Sequence, residues 1–360
     1  MEKSEEVKKH RTAGWIAAVL MTTITSFWMY WSFGEMYHEG WWGAWYNRLP
    51  YLVPGAGFLV FTLLAVRWPR VGGWLLILVG TAFSLFFLDI DFTDGKLTIG
   101  RDLAGTLLCV PVILMGVLFL IDGRQKKRGV FTVRYGPWWR RDPRLALALG
   151  IPMLLAIGVS AAMLPIVLTR QDDGDRSARL IEGNGVSLIW APEGPGWNNK
   201  QPWGGYPSWQ SIALYGVAPI GFEVKPGYGY DEPERLFSAA EDMSATNVCR
   251  YLNEEGTALE TEPVNIWRMP TVEELVLSLV RHGENAGCVY QGEYDSQVEC
   301  AVRPDKESPL WSTELAPVYY WALEEYDERD AYFVSYNGFV NTTFKAGGNP
   351  RHSYRCVREP

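Results

Sequence analysis

The stretch LALALGIPMLLAIGVSAAMLPIVL, residues Leu145 to Leu168, divides this chain into two unlike parts. It carries no charged side chain over 24 residues. About 20 apolar residues in a helix are enough to cross the hydrocarbon core of a bilayer. We therefore expect a membrane-spanning helix here, with a membrane domain before it and a water-soluble domain after it.

The two parts also differ in charge. Residues 1–168 carry 17 Lys+Arg and 11 Asp+Glu, whereas residues 169–360 carry 16 and 30. Binding to nucleic acid requires a basic surface that contacts phosphates. The acidic second part therefore argues against nucleic acid as a partner.

Four further uncharged runs precede the first stretch, and together they predict an all-α bundle of five membrane spans. The run that begins at Ala13 is too long for a signal peptide and no cleavage site follows it. Trp41, Trp42 and Trp45 come next, and tryptophan rings favour the headgroup level of a membrane. Gly158 and Ala162 form a small-x-x-x-small pattern that permits close helix packing. The predicted spans are residues 13–33, 49–66, 72–88, 103–121 and 145–168 of a transmembrane domain, 1–168.

The distribution of basic residues predicts how these spans are oriented. With the N-terminus in the cytoplasm, the tail, the turn at 67–70 and the loop at 122–144 place 14 Lys and Arg inside, against 3 outside. Lys and Arg are enriched in cytoplasmic loops. We therefore predict a multi-pass protein of the plasma (inner) membrane whose C-terminal domain is extracytoplasmic. Because the span interiors hold no ionisable residue, a structural bundle is favoured over a transporter.

The second part reads as a charged tether, 169–182, followed by an α+β domain, 183–360. Val186 to Trp190 suits a strand. The stretch from Ala191 to Gly229 is rich in Gly, Pro and aromatic residues. Aromatic rings in such a stretch fill a core more often than they form a sugar-binding platform, so we expect core packing. Those rings include Trp197, Trp203, Trp209, Tyr215 and Phe222.

Later segments of this domain carry clearer signals. Residues 236–255 have helical periodicity. Thr271 and Glu274 have the spacing of a capping box, which predicts a helix that ends near Gly283. The pair Asn337-Gly338 between strand-like runs predicts a hairpin in which both turn residues have positive φ. Residues 353–358 would supply the last strand.

A nine-residue motif, Trp-Arg-Met-Pro-Thr-Val-Glu-Glu-Leu at 267–275, opens the capped helix. It resembles the Trp-Arg-Leu-Pro-Thr-x-x-Glu-Leu signature of the bacterial domain of unknown function 1566 (DUF1566), the Lcl C-terminal domain. The resemblance covers about residues 180–359 and implies a C-type-lectin-like fold, similar in outline to the formylglycine-generating enzyme superfamily. Further matches in the same order are Gly185–Trp190, Tyr320-Trp321 with Glu324, Ala331–Val334, Gly338-x-Val340 and Tyr354–Arg358.

Four of the five cysteines, Cys249, Cys288, Cys300 and Cys356, fall in this domain. An even number predicts disulfide bonds if the domain lies outside the reducing cytosol. Spacing alone leaves three pairings open. The resemblance implies the pairs Cys249–Cys356 and Cys288–Cys300.

The sequence contains no catalytic motif, and we predict no catalytic residue, cofactor or metal. His282 and His352 lack the spacing of metal ligands. Five acidic residues could form a calcium site, but they match no known loop spacing; they are Asp295, Glu324, Glu325, Asp327 and Asp330.

These observations predict a non-enzymatic binding or sensing protein, anchored in the lipid bilayer, with an extracellular glycan, peptide or protein as its ligand. One alternative is an enzyme of the formylglycine-generating type, which needs a reactive cysteine. Another is a membrane-bundle protein whose outer domain only recruits or gates.

Overall fold

The computed structural model describes residues 12–87, 90–93, 96–99, 103–127, 142–198, 205–216 and 233–360. These residues form two compact units. The N-terminal unit contains the described residues of Met1–Tyr37 and Arg48–Pro165. The C-terminal unit contains His38–Asn47 and the described residues of Ile166–Pro360. The predicted boundary at residue 168 therefore misses one loop, 38–47, which folds with residues far along the chain.

The N-terminal unit is helical, and each predicted span coincides with a helix to within a few residues. Proline lies in the first turn of three helices, at Pro50, Pro69 and Pro143, where its missing N–H leaves no intrahelical bond unmade. A short antiparallel pair, β1 (Ile90–Thr93) with β2 (Lys96–Ile99), lies within the predicted polar loop. The helices are α1 (Thr12–His38), α2 (Leu49–Arg67), α3 (Pro69–Phe87), α4 (Leu103–Lys127) and α5 (Pro143–Leu168).

Three helical segments among the described residues are long and apolar enough to cross a membrane. They are Thr12–His38, Trp45–Arg67 and Pro143–Leu168, and a shorter apolar helix covers Pro69–Leu85. The helical N-terminal region of the predicted fold class is confirmed, and so is the sheet-rich C-terminal region described below. The count of five spans stays a prediction.

Glycines allow α3 and α4 to approach closely. A Cβ on Gly73 would lie 2.7 Å from the carbonyl oxygen of Gly116, and one on Gly80 would lie 2.8 Å from the side chain of Ile113. Gly158 has no atom within 4 Å of a built Cβ among the described residues. The prediction that the Gly158 pattern mediates close helix packing is therefore wrong for this structure.

A buried ion pair joins the end of α4 to the start of α5. The sequence places Asp122 and Arg144 in the loop 122–144, but both lie within helices. Arg144 Nη1 donates to Asp122 Oδ2 at 2.9 Å, and its Nη2 donates to Asp142 at 2.8 Å. Only 2% of the Asp122 side chain is exposed. A Cβ on Gly14 would lie 2.3 Å from Asp122, so α1 can pack here because it has glycine at that position.

The C-terminal unit consists mainly of short strands. Its largest sheet has the order β5-β14-β11-β12-β13-β9, in which β14 and β11 are parallel and the other neighbours antiparallel. Smaller sheets have the orders β15-β4-β3, β10-β8 and β6-β7. The strands are β3 (Arg179–Gly183), β4 (Val186–Trp190), β5 (Trp197–Asn198), β6 (Val280–Arg281), β7 (Glu284–Asn285), β8 (Cys288–Val289), β9 (Ser296–Gln297), β10 (Glu299–Cys300), β11 (Tyr319–Glu325), β12 (Asp330–Ser335), β13 (Phe339–Phe344), β14 (His352–Arg355) and β15 (Val357–Arg358).

The helices of this unit agree only in part with the sequence. The capping box is confirmed, since Thr271 and Glu274 each accept the other's backbone N–H. That helix is shorter than predicted. The predicted helix 236–255 also ends early, because the side chain of Asn247 caps a separate 3₁₀ turn, Val248–Tyr251. The helices are α6 (Trp209–Ala213), α7 (Pro233–Ala245) and α8 (Val272–Leu277).

The predicted hairpin is formed by β12 and β13, with Val334 opposite Val340. Of the two turn residues, however, only Gly338 has a positive φ, +86°. The Gly338 N–H bonds to the carbonyl of Ser335 at 2.9 Å. The connection is therefore a three-residue loop with glycine in the left-handed position rather than a two-residue turn.

Residues 169–182, predicted as a tether, are instead an integral part of the C-terminal unit. Asp172 accepts hydrogen bonds from Arg176 at 2.7 Å and from Thr313 at 2.9 Å. The end of the segment is strand β3, which pairs with β4. The segment has no apolar periodicity, but it is ordered by polar bonds to residues distant in sequence. The prediction of a tether was therefore wrong.

Two disulfide bonds lie in the C-terminal unit, Cys249–Cys356 and Cys288–Cys300. All four of its cysteines are therefore bonded, and the fifth cysteine of the chain, Cys109, is buried in α4. A reactive thiol of the kind that the enzyme alternative needs is thus absent from the described residues of this unit.

We expect the buried pair Asp122–Arg144 to be sensitive to the loss of one partner. Arg144→Met removes the arginine that pairs with the buried carboxylate of Asp122. This change should lower the free energy of unfolding by about 3–5 kcal/mol. The double variant Asp122→Leu/Arg144→Met removes both charges and should lose clearly less. Thermal or denaturant unfolding of the full chain in detergent measures both. Equal losses in the single and double variants would contradict the idea that the pair is stabilised by mutual charge compensation.

Candidate functional site

The loop 38–47 is bound to the C-terminal unit through its first two residues. His38 Nδ1 lies 2.9 Å from the hydroxyl of Tyr336, and Nε2 lies 3.2 Å from the hydroxyl of Tyr319. Tyr319 donates its own proton to Glu39 Oε1 at 3.0 Å. Nε2 of His38 must therefore be the donor to Tyr319, which leaves Nδ1 to accept from Tyr336.

Arg170, two residues beyond the end of α5, connects this loop to the body of the unit. Its guanidinium donates to Asp305 Oδ1 at 2.9 Å and to the carbonyl of Trp41 at 3.3 Å. It also lies 5.1 Å from the ring centre of Tyr336. The side chains of Arg170 and Asp305 are only 5% and 2% exposed. The segments that follow α1 and α5 therefore meet at one buried arginine.

A second arginine holds the middle of the loop. Arg351 Nε lies 3.8 Å from Glu39 Oε2, and its guanidinium lies 5.2 Å from the ring centre of Trp42. Trp45 and Tyr46, by contrast, are 66% and 60% exposed. Trp42 thus contacts Arg351, and the preference of this loop's tryptophans for the headgroup level stays a prediction.

The segment 304–309 supplies the acidic side of the cluster. Arg281 Nη1 bonds to Asp305 and to Glu307, each at 2.9 Å. Lys306 is fully buried and donates to the carbonyl of Leu315. Burial, reinforced by nearby arginines, lowers the pKa of Lys306 well below its usual value. We call His38, Glu39, Arg170, Arg281, Asp305, Glu307, Tyr319 and Tyr336 the base network.

The base network is suited to holding segments together rather than to catalysis. Its carboxylates are bonded to arginines and its histidine is bonded to two phenols. Among the described residues, no group of three or more His, Cys, Asp and Glu side chains is placed to hold a metal ion. The network joins the segments that follow α1 and α5 to the segment 304–309 and to the sheet.

The histidines considered in the sequence lie apart from one another. His352 is buried in an aromatic environment, with ring centres 4.9 Å from Tyr319, 4.8 Å from Trp321 and 5.0 Å from Phe333. Burial lowers the pKa of His352 to about 3, so it is neutral at physiological pH. His282 lies in the tight turn between β6 and β7 with φ +52°. The structure brings neither to a ligand position.

The five acidic residues of the possible calcium site have separate roles in the structure. Glu324 accepts the N–H of Val272 at 2.9 Å, at the start of α8. Glu325 pairs with Lys345 at 2.5 Å. Asp327 accepts two backbone N–H groups of its own turn. They do not converge on a common point in the described structure.

The aromatic loop predicted to fill a core does so where the structure describes it. Trp197, Trp209 and Tyr215 are buried. Trp209 donates its indole N–H to the carbonyl of Ala322 at 2.9 Å. Trp203 and Phe222 lie outside the described residues.

A group of tyrosines missed by sequence reasoning lies on the surface instead. We call Tyr290, Tyr294, Tyr326 and Tyr332 the tyrosine patch. Tyr294 and Tyr326 are 46% and 39% exposed, and their ring centres are 4.4 Å apart. The rings of Tyr326 and Tyr332 are 5.7 Å apart. The remaining two members, Tyr290 and Tyr332, are half-buried against the core.

Burial, neighbouring phenols and nearby carboxylates raise the pKa values of three of these tyrosines. The hydrogen bond with Tyr294, followed by burial and by nearby groups that include Asp327, raises the pKa of Tyr326 to about 12. Burial and then Glu324 raise the pKa of Tyr332. The pKa of Tyr290 is raised by burial and then by neighbours that include Glu324. The acidic side chains that contribute to these shifts are Glu273, Glu324 and Asp327.

Local structure fixes the patch from two sides. Tyr290 and Tyr294 lie in the loop closed by Cys288–Cys300, which spans 12 positions. Tyr326 follows β11 and Tyr332 lies in β12, which are paired. Two tyrosines inside a short loop between two cysteines were the one sequence signal that could have indicated this patch.

One family model matches the chain, and it covers the N-terminal part. Residues 5–130 match the model described as Domain of unknown function (DUF7670). This region includes α1 to α4 and the loop 38–47, and it ends before α5. No curated protein and no solved structure matches the chain.

The resemblance to DUF1566 is wrong, because the family model that matches is DUF7670 over residues 5–130. The C-type-lectin-like fold that it implied is therefore not supported. The motif at 267–275 has a local explanation. Trp267 is buried and donates to the carbonyl of Asn253 at 2.9 Å, Arg268 bonds to Glu274 at 2.7 Å, and Thr271 caps α8. A short stretch under these packing and capping demands acquires similar residues without a shared family. The chain is thus similar to DUF7670 in its helical region alone.

Proposed function

We propose that the chain is a multi-pass protein of a bacterial-type plasma membrane that senses a ligand through an extracytoplasmic C-terminal unit. The observation that carries the proposal is the path of one hairpin. Tyr319 of the base network begins β11, and Tyr326 of the tyrosine patch follows its end. In β12, Tyr332 belongs to the patch, and Tyr336 of the base network comes just after the strand.

This hairpin links an exposed surface to the chain segments that emerge from α1 and α5. Seven extended residues of β11 span about 23 Å at roughly 3.3 Å per residue. β11 pairs with β12 near both ends of that length, at Tyr319–Trp321 and at Glu325, with an irregular register between them. A ligand that shifts the patch therefore has a direct route to His38 and Arg170 in the base network.

The orientation is supported by a parity constraint. The loop 38–47 and residues 166–360 share one unit, so both lie on the same side of the membrane. The chain must then cross the membrane an even number of times between the loop 38–47 and residue 166. It crosses four times if α2, α3, α4 and α5 all span the membrane, and twice if only α2 and α5 do. With the N-terminus inside, as the basic residues predict, both counts leave the C-terminal unit outside, where its two disulfides are stable.

A reporter assay tests this topology. We expect alkaline phosphatase fused after Pro360 to be active and a fluorescent protein that folds only in the cytoplasm to be dark at the same position. Fusions after Arg70, in the first turn of α3, serve as the opposite control if α1 and α2 both span. A fluorescent fusion at Pro360 with inactive phosphatase would refute the extracytoplasmic assignment.

The base network should matter far more to stability than similar ion pairs on the surface. Arg170→Met leaves the buried carboxylate of Asp305 with Arg281 and the backbone N–H of Lys306. We expect a loss of about 3–5 kcal/mol in the free energy of unfolding. The matched control is Arg179→Met, since the partners of Arg179, Asp173 and Asp175, are 46% and 50% exposed. That change should alter stability by less than about 1 kcal/mol.

Limited proteolysis gives a second readout of the same variants. Arg170→Met should make the loop 38–47 a new cleavage site in the full chain, whereas Arg179→Met should not. If the two variants match in both stability and cleavage, the base network does not join the loop to the unit in the way proposed.

A further inference from the structure

We infer that the tyrosine patch binds a cationic side chain, lysine or arginine, presented by an extended peptide segment. The inference rests on the proposed function, since it names the ligand class of the surface that the sensing unit exposes. It starts from the shape of the patch. Tyr294 and Tyr326 expose large parts of their rings, while Tyr290 and Tyr332 support them from the core.

The aromatic rings and acidic neighbours of the tyrosine patch favour a positively charged ligand. Aromatic faces attract ammonium and guanidinium groups through their quadrupole. Glu324 and Asp327 act on the hydroxyls of Tyr332 and Tyr326, and Glu273 and Glu324 act on Tyr290. A carboxylate or phosphate ligand would meet repulsion from every one of these groups.

The cations nearest in sequence do not neutralise the patch, because they are engaged elsewhere. The guanidinium of Arg329 lies 5.4 Å from the ring centre of Phe344. Lys345 is fully buried, bonded to Glu325 and 5.3 Å from the ring centre of Trp209. These two cations therefore contact groups other than the rings of the patch.

The openness of the patch favours a peptide over a small free amine. Its rings come from a disulfide-closed loop and from a hairpin, and the two most exposed rings are tilted by 47° to each other rather than enclosing a cage. A small amine on so open a surface stays largely in water. A segment of chain can place a cationic side chain on the rings while its backbone covers their surroundings.

Binding of short peptides to the full chain in nanodiscs of zwitterionic lipid tests the inference. The probes are acetyl-Gly-Gly-Lys-Gly-Gly-amide, its arginine counterpart and the same peptide with norleucine, measured by titration calorimetry. We expect binding of the lysine or arginine peptide and at least about tenfold weaker binding of the norleucine peptide. Equal binding of all three, or binding of none, overturns the inference.

Variants separate ring contacts from general attraction to an acidic protein. Tyr294→Leu/Tyr326→Leu should weaken binding by about 5- to 30-fold, whereas Tyr294→Phe/Tyr326→Phe keeps the rings and should stay within about threefold. These residues are exposed, and the unfolding midpoint of each variant checks that it still folds. Equal effects of the leucine and phenylalanine variants overturn the inference.

A matched pair of charge changes completes the test. Asp327→Asn keeps the acceptor oxygen for its turn and removes one charge from the patch. Glu255→Gln removes one charge from an exposed turn outside the patch. Only the first should weaken binding, and equal weakening by both indicates non-specific attraction and overturns the inference. The topology reporters are independent of these titrations, so failure of the ligand class is distinguishable from failure of the proposed function.

Discussion

The ion pair between Arg170 and Asp305 is the contact on which the rest of the C-terminal unit depends. Both charges are almost fully removed from water, which costs several kcal/mol per ion. The structure compensates by giving each ion further bonds, to Trp41 and Tyr336 for the arginine and to Arg281 for the carboxylate. Displacing one member would leave another buried without a partner. The segments that supply these groups must therefore move together.

Under the proposed function, that constraint would couple the sheet to the segments that follow α1 and α5. The base network receives residues from just beyond α1, from just beyond α5 and from the sheet itself. Strands β11 and β12 carry the same rigid connection to the tyrosine patch. A ligand can shift an equilibrium only by its differential affinity for two states. In the proposed sensing, the two states would differ in which of these buried charges are paired.

The sequence predicted local features well and non-local ones poorly. The five helices follow from uncharged runs, and the capping box at Thr271 follows from two residues three positions apart. The base network could not be predicted, since it joins His38 to Tyr336 across 298 positions. The apparent tether at 169–182 failed for the same reason, because its order comes from distant polar partners such as Thr313. The resemblance to DUF1566 failed because its clearest motif serves local capping and packing.

The tyrosine patch combines local and non-local order, which bears on how it can bind. The disulfide Cys288–Cys300 restricts one half, and the turn held by Asp327 restricts the other. Residues that are already ordered lose little conformational freedom when a ligand arrives, so less of the contact energy is spent on ordering them. An open surface can therefore bind usefully through a few rings and charges. Because β11 and β12 run from the patch to the base network, our proposal is that binding at the patch would displace the segments that follow α1 and α5.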